Sequence, residues 1–416
     1  MNIRKIFGTY MVATMYQAGL SFLIFPYLTH YLSTGDFGII ALVNTYVTLI
    51  GAVAGMGCEG YFYINFFKAK PEEKSDYFLS SYFIPLISFL SIAIILVVFS
   101  VPLAKIVELT PLAIVLIALL SLANFLYEQT LGLLIYNKKS LIYSIVIITK
   151  TSLEVLLTAF AVIYFKEHWQ GRIFAWLISI AIFGFWGLSY IYRSGLLNGK
   201  RNKQITKDSF RYGFPFIFHQ LSKFSMNQSD RIFLSKLTTI TQTGIYNVAY
   251  QIGSVVNMVN LPFNNFFAPH MMEGLANPTP EKKKQIVKIA YSYILFLIVI
   301  VGLTCVLAEI MYAFFINPNF IDGKKIVPLV GLAYFFWGIY LIFSGILQFE
   351  KKSKLISTIS IVAFAINLIL NYFMIKEYGY MGAAWATLIT FAFQAASTAY
   401  FAHQTTHLPW LSFFRK

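Results

Sequence analysis

The sequence predicts an all-α integral membrane protein of twelve transmembrane helices in two six-helix bundles, and three observations predict it. Of 416 residues, 58% are hydrophobic and only 12% are charged, whereas average soluble domains carry roughly 25% charged residues. So few ionised groups cannot cover a soluble surface. Apolar stretches of about 20 residues, long enough to cross a roughly 30 Å hydrocarbon core as helices, recur along the whole chain. The basic residues gather in alternate connections between those stretches. The mean hydropathy of +0.68 and the 41 Phe and 27 Tyr suit a chain that meets lipid and its interfaces. A cytosolic enzyme, a disordered tail and a secreted disulfide scaffold are excluded. Cys58 and Cys305 both lie inside apolar runs, which speaks against a disulfide framework or a zinc site.

Taken in order, the first six spans run roughly over 6–32, 38–67, 77–103, 109–136, 141–165 and 172–192. The second six run roughly over 210–236, 242–272, 285–316, 325–349, 355–375 and 381–402. The first stretch follows Arg4 and Lys5 and is too long for a signal-peptide core, so it is expected to be a span. Pro26, Pro85, Pro215, Pro262 and Pro328 fall in these stretches and would free backbone carbonyls there. With the amino terminus in the cytoplasm, 22 Lys and Arg fall on cytoplasmic segments, Arg415 and Lys416 among them, and seven fall on the opposite connections. That asymmetry orients the chain with both termini cytoplasmic. The formal charge of +15 is therefore topological, attracts anionic lipid headgroups and does not signal a nucleic acid.

The chain is expected to be doubled upon itself. Leu32 and Gly38-Ile39 match Leu237 and Gly244-Ile245, Lys138-Lys139-Ser140 matches Lys351-Lys352-Ser353, and Ala175-Trp176 matches Ala384-Trp385, all at offsets near 210. Six spans per copy put both copies in the same orientation, related by a pseudo-two-fold axis along the membrane normal with a substrate path between them. The expected domains are residues 1–200 and 201–416, divided in the polar stretch from Ser194 to Asp208.

Polar residues inside the spans mark candidate functional positions. Span eight carries Asn247, Tyr250, Gln251, Ser254, Asn257, Asn260 and Asn264 at spacings of three and four, hence on one helix face. Span two offers Asn44, Thr48, Gly51 and Glu59; span seven offers His219, Lys223, Asn227 and Asp230; span one offers Thr9, Gln17 and Ser21. Such faces either join helices by hydrogen bonds of about 0.6–2 kcal/mol or line a wet cavity. Lys or Asp at a helix centre costs about 2.5–3.5 kcal/mol, so Lys150, Lys223, Arg231 and the carboxylates Glu59, Glu128, Glu154 and Asp230 require a reason. Lys150 and Glu154, one turn apart, can neutralise each other. Lys223 has no acid within a turn along its own helix, so its counter-charge comes from a ligand anion or another helix. No Gly-rich phosphate loop, His-Glu-x-x-His pair or nucleophile elbow is present, and no enzyme is expected.

Two segments carry a family resemblance. Pro26-Tyr27-Leu28-Thr29 leads to Leu32-Ser33-Thr34-Gly35-Asp36-Phe37-Gly38, and Asp230-Arg231-Ile232-Phe233-Leu234 is followed by Thr243-Gly244-Ile245-Tyr246-Asn247-Val248-Ala249-Tyr250. With the twelve spans and their two sixes, the chain resembles the Wzx-type polysaccharide flippases of the multidrug/oligosaccharidyl-lipid/polysaccharide exporter superfamily, with its MATE-like fold. The resemblance implies flipping of an undecaprenyl-diphosphate-linked oligosaccharide, for O-antigen, capsule or exopolysaccharide, from the inner to the outer leaflet of a bacterial inner membrane by alternating access. It implies a sodium or proton gradient in place of a cofactor, and contact with membrane lipids and polysaccharide polymerase machinery. On this reading Lys223, Lys150, His219, Asn227, Asn247, Gln251, Asn257 and Arg231 meet the substrate, and Glu59, Glu128, Glu154 and Asp230 couple the ion. A multidrug or other lipid exporter of the same superfamily is the alternative; it would want carboxylates without cavity cations.

Overall fold

In the computed structural model, which describes residues 3–276, 278–406 and 408–410, every regular element among those residues is helical. The side chains of Arg4 and Lys5, and all of His407, Arg415 and Lys416, lie outside the described residues. The helices are α1 (Ile3–Leu28), α2 (Thr34–Ala54), α3 (Cys58–Phe66), α4 (Lys74–Val98), α5 (Ser100–Val107), α6 (Pro111–Tyr136), α7 (Ser140–Ala159) and α8 (Trp169–Arg193). They continue with α9 (Lys203–Leu237), α10 (Ile240–Gly253), α11 (Asn257–Ala276), α12 (Pro280–Phe314), α13 (Val327–Phe349) and α14 (Ser353–Thr406). Among the described residues, nine helical stretches are long and apolar enough to cross a membrane.

The nine stretches and the expected twelve spans differ for physical reasons. The 54-residue α14 holds two expected spans, divided at Gly379, whose combination of φ 55° and ψ −135° is open to glycine but not to residues with a Cβ. The seventh and eighth spans are helical as α9 and α10–α11, yet their many polar side chains leave them less apolar than the nine. Span two is not continuous: α2 ends at Ala54 and α3 begins at Cys58, with Met56 and Gly57 both at positive φ. Span eight is likewise interrupted by a tight turn over Ser254–Val256. Pro328 does not break its helix, because it sits in the first turn of α13, where the missing N–H would have had no partner anyway.

Contacts gather the chain into two units, Met1–Phe224 and Ser225–Lys416. From sequence the division is expected at 200, but α9 runs unbroken from Lys203 to Leu237 and its first part is fastened to the first unit. The Ser209 hydroxyl donates to the Cys58 carbonyl at 3.2 Å. A Cβ on Gly213 would stand 2.8 Å from the Cys58 nitrogen, so glycine permits this backbone approach. In the first unit an aromatic core of Phe62, Phe66, Phe78, Tyr82, Phe89 and Phe125 joins α3, α4 and α6. In the second unit α13 and α14 pack most extensively, around Tyr334, Ile346 and Phe391.

The matched sequence segments occupy matched local structures. Ser33 caps α2 in a reciprocal box with Asp36, accepting from Asp36 N at 3.1 Å while Asp36 Oδ2 accepts from Ser33 N at 2.9 Å. The same carboxylate's Oδ1 accepts from the backbone N–H of Trp169, at the start of α8, at 3.2 Å. In the second unit Thr239 caps α10 by accepting from Gln242 N at 3.1 Å. There a Cβ on Gly379 would lie 2.8 Å from Gln242 Oε1. The first unit thus ties the start of its second span to the start of its sixth by a hydrogen bond through the third residue after the cap, whereas in the second unit the corresponding Gln242 only lies close to Gly379 and its Oε1 has no hydrogen-bond partner among the described residues.

Candidate functional site

Two buried clusters of charge and a set of open polar faces account for the residues singled out from sequence. In the first unit, α7 places Lys150 and Glu154 one turn apart, and Lys150 Nζ meets Glu154 Oε2 at 2.5 Å. Glu154 Oε1 meets Arg172 NH2, from the first turn of α8, at 2.7 Å. Arg172 also donates from NH1 to Thr158 Oγ1 at 3.4 Å. Lys150 lies 5.9 Å from the centre of the Tyr127 ring. One carboxylate therefore holds two cations, with Glu128 of α6 near enough for its charge to act on Lys150, and the Arg172 side chain keeps 28% of its surface exposed. Arg172 was not among the residues singled out from sequence. Its position three residues into a helix that packs on α7 was the available signal.

The second cluster is closed. Asp230 and Arg231 of α9 are both 4% exposed. Arg231 NH1 reaches Asp230 Oδ1 at 2.7 Å and the Asn227 carbonyl at 2.8 Å. Tyr246 of α10 donates to Asp230 Oδ2 at 2.5 Å. The guanidinium lies over the rings of Tyr250, at 4.2 Å, and Tyr246, at 5.6 Å. Tyr250 and Tyr334 share a hydrogen bond of 2.7 Å. Asn260 donates to the Tyr334 carbonyl at 3.1 Å and accepts from Tyr293 at 2.6 Å. Beside this network, Ser229, Asn367, Asn371 and Thr390 form a further buried polar cluster.

The remaining candidates divide by exposure. On α9, His219 and Lys223 are exposed and Asn227 is half-buried; the face then turns inward at Asp230. Asn247, Gln251, Ser254, Asn257 and Asn264 stay half-buried, whereas Tyr250 and Asn260 of the same expected stripe point into the second unit. Gln17 and Ser21 on α1, with Asn44 and Thr48 on α2, are exposed. Glu128 is exposed on α6, and Glu59 on α3 is half-buried with its Oε2 shielded and without a hydrogen-bond partner among the described residues. The structure does not gather the four carboxylates expected to couple an ion. Glu154 is paired with cations, Asp230 is paired in the other unit, and no group of three metal-ligating His, Cys, Asp or Glu occurs among the described residues. Arg231, expected to meet substrate, is enclosed by tyrosines because its neighbour Asp230 and the Asn227 carbonyl neutralise it internally.

A family described as polysaccharide biosynthesis protein matches residues 3–273. A product of the Lsg locus of Haemophilus influenzae strain Rd is 23% identical over 373 residues, covering 87% of this chain and 89% of that protein. A membrane protein of the same organism is 29% identical over 53% of this chain and 54% of its own length. Among solved structures, an inward-facing multidrug resistance MATE family transporter of the MOP superfamily superposes with a TM-score of 0.71 at 14% identity, over 98% of this chain and 95% of that one. The lipid II flippase MurJ, in an inward closed conformation, gives a TM-score of 0.71 at 15% identity, over 94% of this chain and 87% of that one. At such identities the likeness shows the fold.

Proposed function

The chain belongs to the polysaccharide biosynthesis protein family, and from that premise we propose that it flips an undecaprenyl-diphosphate-linked oligosaccharide from the cytoplasmic to the outer leaflet of the bacterial inner membrane by alternating access. It is a multi-pass membrane protein with the fold of the MOP transporters, and family and fold assign it to transport rather than catalysis.

The observation that carries the proposal is a cation on an open polar face. Lys223 is exposed although it lies about 30 Å from the start of α9 and about 21 Å from its end, at 1.5 Å per residue. Exposed or half-buried His219, Asn227, Asn247, Gln251 and Asn257 occupy the same two expected spans. Amides suit sugar hydroxyls, and a cation at membrane depth attracts a diphosphate more strongly than one in bulk water, while the polyprenyl chain stays in lipid. Lys150, with Arg172 beside it, is a second cationic position. Coupling to a sodium or proton gradient would fall first to Glu59 and Glu128, which are engaged in no ion pair among the described residues, rather than to Glu154 and Asp230, whose charges are paired with Lys150 and Arg172 and with Arg231. Both termini would be cytoplasmic, and delivery of the flipped lipid to a polysaccharide polymerase would follow on the outer side.

The test is disruption of the gene followed by analysis of lipid-linked intermediates. The expected result is undecaprenyl-diphosphate-linked repeat units accumulating in the inner leaflet. Normal surface glycan, together with increased sensitivity to amphiphilic cations, would favour multidrug export instead.

A further inference from the structure

The side-chain amides of Asn257 and Asn260 are held in one orientation by the helices around them. An amide can turn either its oxygen or its NH2 group toward a neighbour, and the neighbours decide which. Asn260 of α11 is 1% exposed and meets three partners. Its Nδ2 donates to the Tyr334 carbonyl of α13 at 3.1 Å, an oxygen that can only accept. The same Nδ2 donates to Asn257 Oδ1 at 3.3 Å, which uses both of its protons. Its Oδ1 accepts from Tyr293 Oη of α12 at 2.6 Å, and the Tyr293 ring is stacked on Phe263. A Cβ on Gly338 would stand 2.6 Å from that Oδ1, so glycine makes room for the amide. Reversing Asn260 would set oxygen against the Tyr334 carbonyl and against Asn257 Oδ1, a loss of two buried hydrogen bonds. Asn257 is fixed in its turn, with its oxygen committed to Asn260. Its NH2 group makes no hydrogen bond among the described residues, and on this half-buried residue it is not enclosed.

We propose that Asn257 is a dedicated hydrogen-bond donor to an acceptor oxygen of the transported lipid, and that Asn260 is the positioning residue that keeps it from turning its oxygen outward. The proposal rests on the flipping role, because Asn257 shares its half-buried polar stretch with Asn247, Gln251 and Ser254. An unrestrained asparagine serves donors and acceptors alike. With its Oδ1 occupied, Asn257 serves acceptors alone, and this makes it a specificity-determining residue. A diphosphate offers acceptor oxygens only, and a glycan offers ring and carbonyl oxygens beside its hydroxyls, so both carry the required chemistry. An amphiphilic cation offers donors and positive charge, which an outward NH2 group disfavours.

The orientation is read without ligand, by thermal denaturation of the full-length protein in detergent. Asn257→Asp keeps an acceptor toward Asn260, whereas Asn260→Asp sets a carboxylate against the Tyr334 carbonyl and withdraws both donors. Asn260→Asp should therefore lower the thermal midpoint far more than Asn257→Asp. An equal fall in the two variants, or a larger fall in Asn257→Asp, would overturn the proposal whatever the protein transports. The donor role is read by native mass spectrometry with undecaprenyl diphosphate, either bare or carrying one N-acetylglucosamine. Asn257→Leu should lower retention about fivefold to tenfold. The loss should appear with both probes if a diphosphate oxygen is the acceptor, and with the sugar-bearing probe alone if a glycan oxygen is. Asn260→Leu should act through Asn257, so the double variant should retain the probe no worse than Asn257→Leu alone. Unchanged retention of both probes in Asn257→Leu, or additive losses in the double variant, would overturn the donor role. Retention of neither probe by the unaltered protein would strike the flipping role and the donor role with it.

Discussion

The two charged clusters use similar residues and solve different problems. In the second unit one carboxylate, Asp230, faces one guanidinium, Arg231, and tyrosines and a backbone carbonyl satisfy what remains. In the first unit one carboxylate, Glu154, faces two cations, Lys150 and Arg172, and one of the cations is partly exposed. A neutral, fully satisfied pair inside a membrane bundle has nothing left to offer a ligand and serves to fix packing. A cluster that keeps a partly exposed guanidinium can still meet a further anion. On the proposed function, closure rather than the presence of charge would separate the residues that fix packing from those that meet a ligand.

The largest expected effect breaks the closed cluster. Arg231→Ala leaves Asp230 buried and unpaired, and should lower stability by about 3–5 kcal/mol, read as a fall in abundance and thermal midpoint. Asp230→Asn with Arg231→Met should recover much of that loss. Tyr246→Phe removes a single donor to Asp230 and should cost about 1–3 kcal/mol, measured by thermal denaturation in detergent.

Asp36→Ala lies outside both clusters and serves as a reference for ordinary capping. Loss of the box with Ser33 and of the Trp169 contact should cost about 1 kcal/mol with transport per molecule retained. Arg172→Ala sharpens the contrast most. Lys150 still neutralises Glu154, so stability should change by about 1 kcal/mol or less, while transport should fall at equal abundance. If Arg172→Ala depletes the protein as Arg231→Ala does, the distinction between the clusters collapses.

How much of this was legible in the sequence depends on how local each relation is. The pairing of Lys150 with Glu154 is an i,i+4 relation and could be read directly. So could the end of α2, where Ser33 and Asp36 stand three apart, although their tie to Trp169 could not. Asp230 and Arg231 are adjacent, and adjacent helix residues do not ordinarily face one another, so their pairing and the tyrosines from α10 and α13 that enclose it were hidden. Tyr250 and Asn260 follow the same spacing as Asn247 and Gln251 but point inward, Tyr250 to its hydrogen bond with Tyr334 and Asn260 to the Tyr334 carbonyl and Tyr293, partners on other helices that spacing along one helix does not reveal. The break at Gly55–Gly57 was likewise invisible to a count of apolar residues, which sees span length and not backbone conformation.

The role of Lys223 tests the account most directly. In proteoliposomes, the rate of flipping of an undecaprenyl-diphosphate-linked oligosaccharide should fall about tenfold or more in Lys223→Gln, the scale of a lost charge-assisted hydrogen bond. Lys223→Arg, which keeps the charge, should retain part of the rate. Flipping by Lys223→Gln at the unaltered protein's rate and at equal incorporation would contradict the claim that this exposed cation receives the diphosphate.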